Sequence, residues 1–180
     1  MPELFRSFVA VKVPGNVADE LENFLAELRP LANIRWVRRE QFHITLKFLG
    51  EIERETLENV KTSLEPLKFF DPFTIELSYI GAFPNLNAPR VIWLAGDKGA
   101  SELGQLARKV NDVLHDEAEL DRDDKKFKAH LTLARLKNSY LPEELVRKLG
   151  TVKNFSWQCN ELVLMRSFLK PSGPVYTQLL

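Results

Sequence analysis

Apolar and polar positions along the chain read strand, helix, strand, helix, strand, and then the same order again. "SFVAVKVP" (Ser7–Pro14) has the apolar density of a buried strand. In "VADELENFLAEL" the residues Val17, Leu21, Phe24, Leu25 and Leu28 fall on one helical face. "FHITLKFLG" (Phe42–Gly50) reads as a strand closed by glycine, "ETLENVKTSLEPL" (Glu55–Leu67) as a second helix and "FTIELSYIGAF" (Phe73–Phe83) as a third strand. In the second half, "RVIWLAG" (Arg90–Gly96) is a strand, and "SELGQLARKVNDVL" (Ser101–Leu114) aligns Leu103, Leu106, Val110 and Leu114. The strand "KAHLTLARL" (Lys128–Leu136) follows, then the short helix "PEELVRKLG", with proline in its first turn and glycine at its end. "NFSWQCNELVLMRS" (Asn154–Ser167) closes the order as a strand with Phe155, Trp157 and Cys159 pointing inward.

Matching elements keep a nearly constant separation: 83 residues from Phe8 to Val91, 87 from His43 to His130, 82 from Phe73 to Phe155. Differences of this size are what loop-length variation produces. The chain therefore reads as a duplicated α+β protein, one bilobal domain over 1–180 with repeat halves at about 5–83 and 88–180. Hairpin-like segments, "AFPNLNAPRV" and "LKPSGPVYT", extend the match, with Pro89 and Pro174 where strands begin. No Gly/Ser linker separates the halves, so they are expected to pack together.

Alternation on a strand sends successive side chains to opposite faces. His43 and Thr45 then share one face against Ile44 and Leu46, and His130 and Thr132 share one against Leu131 and Leu133. A lone histidine beside a threonine is usually a satisfied polar residue; two copies at equivalent places in a duplicated unit point to a shared site. If the halves pack about a pseudo-twofold axis, the two pairs face each other across a cleft. Such a site suits phosphoester cleavage, which needs a base for the nucleophile and an acid for the leaving alkoxide. One imidazole can be neutral while its partner is protonated near neutral pH, and threonine hydroxyls can donate to the non-bridging oxygens. His115, at a helix end, reads as structural. Three histidines without a clustered ligand spacing give no reason to expect a metal or other cofactor.

Composition sharpens this. The 180 residues are 44% hydrophobic and 28% charged, a soluble globular composition, and the zero net charge gives no sign of a strong non-specific nucleic-acid binder. A single cysteine, Cys159, precludes an internal disulfide and reads as buried packing. The N-terminal stretch makes a poor signal peptide, because Lys12 and Pro14 interrupt its short apolar run, and no segment is long enough to span a bilayer. The expected location is the cytoplasm, with no membrane partner. Arg35, Arg38 and Arg39 precede the first motif, around Trp36, and Lys125, Lys126 and Lys128 precede the second; these clusters are placed to guide a polyanion into the cleft.

The strings "FHITLKFLGEI" and "AHLTLARL", with "SFVAVKVP" at the start and "PSGPVYT" at the end, resemble the two-histidine phosphoesterase superfamily. Within it they are most like the RNA 2',3'-cyclic phosphodiesterases, first described as 2'-5' RNA ligases. The resemblance spans nearly the whole chain. It implies a bilobal fold with two antiparallel sheets flanking a central cleft, and metal-independent hydrolysis of an RNA-terminal 2',3'-cyclic phosphate to a 2'-phosphate. It also implies His43 as proton donor and His130 as proton acceptor, an assignment the near-equivalence of the repeats leaves open on its own. Thr45 and Thr132 become phosphate contacts, Phe48 a stacking platform for a base and Arg135 a phosphate ligand. Phe48 and Arg135 each lie five residues after their histidine, an odd offset that reaches the cleft only through a bulge, strong twist or strand end near Gly50 and Ala134. Tyr176 is read as a core or rim residue, with the cleft wall as the alternative. The implied partners are RNA 3' ends bearing the cyclic phosphate, tRNA fragments among them, acted on by a monomer. The alternatives are reversible 2'-5' RNA ligation at the same site, hydrolysis of another small cyclic phosphate, or a non-catalytic module that binds RNA ends.

Overall fold

A computed structural model describes residues 3–138 and 140–180. Ten strands and four α-helices run in the order β1 (Leu4–Lys12), α1 (Gly15–Leu28), β2 (Arg35–Trp36), β3 (His43–Glu53), α2 (Arg54–Leu64), β4 (Phe69–Leu77), β5 (Tyr79–Phe83), β6 (Val91–Ala95), α3 (Ala100–Ala118), β7 (Leu131–Arg135), α4 (Glu143–Leu149), β8 (Phe155–Glu161), β9 (Val163–Lys170) and β10 (Gly173–Gln178). The fold is α+β. One antiparallel sheet has the order β10-β9-β1-β3-β7-β6-β5, with β2 also on β7, and β4 and β8 form a small second sheet.

The duplication is written into the register. β1 and β3 pair Phe8 with Phe48 and Ala10 with Thr45; β6 and β7 pair Val91 with Arg135 and Trp93 with Thr132. These are the same positions at the same repeat offsets. Strand β3 meets β7 at one bridge, Ile44 with Leu131, which are themselves repeat equivalents. Ile75 pairs with Trp157, again equivalents, at the middle of the small sheet. A residue bonded to its own counterpart lies on the axis relating the halves, so the pseudo-twofold passes through both pairs. The sheets of the two halves are thereby fused edge to edge.

Two strands that the hydrophobic pattern reads as continuous are broken. Phe73–Phe83 divides at Ser78 and Asn154–Ser167 divides at Leu162, each giving one strand to the small sheet and one to the large. The second pieces cross over: β5 pairs with β6, and β9 with β1. Each repeat thus places the strand that follows its small-sheet strand against the first strand of the other, which ties the halves together. Periodicity does not mark the first break, because the alternation of Phe73, Ile75, Leu77 and Tyr79 runs through Ser78; at the second, polar Asn160 and Glu161 interrupt the pattern just before Leu162. Strand β3 likewise does not stop at Gly50 but continues to Glu53; Gly50 takes a positive φ of 72°, letting the chain pass with Leu49 unpaired.

Helices α1 and α3 bury the faces their spacing predicts, with Leu21, Leu25, Leu103, Val110 and Leu114 almost wholly enclosed. Ile44, Leu46, Leu131 and Leu133, from the undersides of the histidine strands, join them in one core. Each such side chain contributes about 1.5–3 kcal/mol, and together they hold the register, since a one-residue slip would turn the apolar set outward.

One polar side chain is built into this underside. Lys47 is 3% exposed, and its Nζ donates to Asn111 Oδ1 on α3 at 2.7 Å, the Asp121 carbonyl at 2.8 Å and Asp123 Oδ1 at 2.9 Å. It therefore pins the segment leading to β7 against β3. Lys47→Met should lower unfolding free energy by about 1–3 kcal/mol, since three partners lose their donor. Urea unfolding of both proteins measures this; an unchanged midpoint would show the ammonium to be incidental.

Candidate active site

Strand alternation brings His43 and Thr45 up on one face of β3, and the next residues decide the rest of the site. Where Ala10 pairs with Thr45 and Val9 with Lys47, Leu46 is left without a partner. Where Trp93 pairs with Thr132 and Ile92 with Ala134, Leu133 is left out in the same way. Each bulge holds two consecutive side chains on the core face. Lys47 and Ala134 go down, and Phe48 and Arg135 come up beside the motifs. The odd offset is resolved by the same device twice.

His43, Thr45, Phe48, His130, Thr132 and Arg135 consequently line a single cleft of about 600 Å³. All six positions expected from sequence share it. Its floor is apolar: Phe8 and Ala10 from β1 pack with Val163, Met165 and Tyr176. The Phe8 ring lies 4.7 Å from that of His43 and Tyr176 meets His43 edge-on at 5.4 Å. His130 meets Phe83 edge-on at 5.0 Å.

Both imidazoles are held alike. His43 Nδ1 is 2.6 Å from the Gln41 carbonyl and His130 Nδ1 is 2.7 Å from the Lys128 carbonyl. A carbonyl only accepts, so each Nδ1 carries the proton and each Nε2 is the nitrogen free to take or give one. Thr45 Oγ1 lies 3.0 Å from His43 Nε2 and donates to it while the ring is neutral. Burial pushes the His43 pKa down to about 4; the bond to the Gln41 carbonyl opposes the shift, and the nearby charges of Arg135 and His130 add to it. His130 is also lowered, by burial first and then by the charges of Arg135 and Lys128, against the opposing Lys128 carbonyl. Burial and the neighbouring positive charges therefore favour two neutral imidazoles.

Four arginines, Arg6, Arg35, Arg38 and Arg135, surround the pair. Arg6 stands 4.6 Å from the centre of the exposed Phe48 ring. Of the basic clusters read from sequence, Arg35, Trp36 and Arg38 reach the cleft, whereas Arg39 is bonded to Asp19 and the Gly15 carbonyl. Lys128 lies over Trp93 at 4.1 Å, behind His130. Arg6, Gln41 and Ser167 carry no sequence signal as site residues. Gln41 is 8% exposed and its amide donates to the Pro174 carbonyl, which joins β10 to the turn that fixes His43. Tyr176 is not only a rim residue: it lines the cleft against His43. His115 stays outside, with Nδ1 on the Leu120 carbonyl at 3.0 Å. Cys159 is buried, which raises its pKa to about 11.

A family model described as LigT like phosphoesterase matches residues 11–93 and again residues 97–176. The chain belongs to this family. The two matches fall one on each half, the first running on into β6 and the second beginning after it. Among LigT-like relatives, an RNA 2',3'-cyclic phosphodiesterase of Archaeoglobus fulgidus is 38% identical over 177 residues, 97% of either chain. Another with the same name, from Thermus thermophilus, is 36% identical over 179 residues, 97% of this chain and 87% of that one. The crystal structure of a Thermus thermophilus protein designated TT0787 superposes with a TM-score of 0.80 at 33% identity, covering 97% of this chain and 95% of the other. That of E. coli LigT complexed with 3'-AMP gives 0.80 at 25% identity, covering 99% and 97%. No helix among the described residues is long and apolar enough to cross a membrane.

The lowered pKa has a sign that can be measured. Above pH 6.5 His43 is neutral both folded and unfolded; as pH falls toward 4, the unfolded chain takes up a proton that the folded chain refuses, and stability is lost. Replacing His43 with Gln should make the acid side of the stability curve shallower between those limits. A proton NMR titration of His43 should find a midpoint well below the ordinary value, rising when inorganic phosphate is added.

Proposed function

We propose that this phosphoesterase hydrolyses the 2',3'-cyclic phosphate at RNA 3' ends, tRNA fragments included, leaving a 2'-phosphate, with His43 as acid and His130 as base and without a metal ion. The observation that carries the reading is one cleft holding two imidazoles with tethered Nδ1 atoms and free Nε2 atoms, each with a threonine two residues on. Water attacks phosphorus as His130 Nε2 takes its proton. The bond from phosphorus to the 3' oxygen breaks, and His43 Nε2–H protonates that oxygen. One water is consumed, and the two rings exchange protons with solvent to reset.

Because burial lowers the His43 pKa, the ring takes its proton from solvent as the anionic substrate binds. The cyclic phosphate is an anion, and an anion beside the ring favours imidazolium. Thr45 and Thr132 donate to the non-bridging oxygens, Arg135 balances the charge gathering there, and Phe48 takes the terminal base. In this reading the enzyme acts as a monomer, one bilobal unit. The names of the relatives, and the 3'-AMP held by E. coli LigT, support a nucleotide substrate.

His43→Ala and His130→Ala should each lose about 10²–10⁴ in kcat while binding of the 2'-phosphate product persists. An RNA cyclic phosphate assayed with chelator present, its products resolved as 2'- or 3'-phosphate, tests reaction and regiochemistry together. Turnover retained in the double variant, a pH–rate curve that stays flat where the histidines titrate, or loss of activity with chelator would each count against the reading. Adding an acceptor with a free 5' hydroxyl tests 2'-5' joining at the same site.

A further inference from the structure

Strand β2 occupies the edge of β7 that β3 leaves after Leu131, and it pairs Arg35 directly with Arg135. Residues directly opposite on antiparallel strands project to the same side, and like charges there repel. Both arginines are exposed, and neither has a carboxylate within ion-pair distance among the described residues. Such a pair becomes favourable when an anion lies between the two forks.

The same two arginines form the wall between the catalytic cleft and a second groove of about 830 Å³. On the far side the groove is lined by Asn33, Leu136, Lys137, Asn138 and Tyr140, with no acidic residue among the described residues that line it. Tyr140 is 74% exposed, an aromatic face with nothing packed over most of it. A basic wall, amide side chains and a free aromatic plane at one groove are the recurring parts of a single-stranded nucleic-acid path. A mononucleotide would fill only the histidine cleft, engaging Arg135 there and leaving Lys137 and Tyr140 unused.

We infer that this groove holds the RNA immediately 5' of the nucleotide carrying the cyclic phosphate. The first internucleotide phosphate lies between Arg35 and Arg135, and the preceding base stacks on Tyr140 beside Lys137. The inference rests on the proposed reaction and adds to it a preference for oligonucleotide over mononucleotide substrates.

The test compares kcat/KM for a mononucleoside 2',3'-cyclic phosphate with those of di-, tri- and tetranucleotides ending in the same group. The unmodified enzyme should gain about tenfold or more on lengthening, mostly at the second and third nucleotides. Tyr140→Ala and Lys137→Ala should abolish most of that gain, through KM, and leave the mononucleotide rate unchanged. A length series that is flat, or one that Tyr140→Ala follows unchanged, overturns the inference while hydrolysis itself stands. If no cyclic phosphate is hydrolysed, the reaction falls instead. Fluorescence anisotropy of a 5'-labelled trinucleotide ending in a 2'-phosphate then decides the groove: binding weakened by Tyr140→Ala upholds it, and equal binding overturns it.

Discussion

The whole arrangement depends on one antiparallel bridge, Ile44 against Leu131. Because these are the same position in two copies of one unit, bonding them to each other puts the pseudo-twofold between the strands. Their neighbours, a histidine before and a threonine after in each copy, must then fall on either side of that axis and on one face of the sheet. The core beneath makes the bridge immovable: both residues are wholly buried, and Leu46 and Leu133 are buried close by. The apolar face of these strands fixes the register, and the register fixes the chemistry on the other face.

The cleft is assembled against its own electrostatics. Two imidazoles are pushed toward neutrality by burial and by neighbouring guanidinium groups, and two arginines stand opposite each other across β2 and β7. An anion placed between these groups offsets both, since an imidazole beside a phosphate is easier to protonate; the proposed role of His43 as acid rests on this. The backbone carbonyls of Gln41 and Lys128 complete the orientation, by holding each Nδ1 so that only Nε2 can exchange.

Rigidity between the halves comes from topology more than from any single contact. Strands β5 and β9, which follow the small-sheet strand in each repeat, lie on the first strand of the other repeat, and the equivalent strands β4 and β8 pair across the axis. Lys47 adds a polar tie from β3 to the segment that delivers β7. It is available because the bulge at Leu46 turns Lys47 inward and Phe48 outward, so one irregularity both fastens β3 to the core side and brings Phe48 to the cleft.

Much of this was legible in the sequence because it is local. The duplication, the helix faces, the His-x-Thr pairs and their likeness to two-histidine phosphoesterases all follow from spacing within a few residues or from comparing one half with the other. The placement of Phe48 and Arg135 required bulges whose position depends on pairing with β1 and β6, although the odd offset announced that some irregularity was needed. The break at Ser78, through which the alternation continues, the crossing of β5 and β9, the inclusion of Arg6 and the opposition of Arg35 to Arg135 had no local signal. They arise from which strand lies beside which, and that is settled by packing between residues far apart in the chain. The sequence determined the chemistry each strand carries; only the tertiary structure decided which strands share a face, because register and neighbour are properties of the sheet.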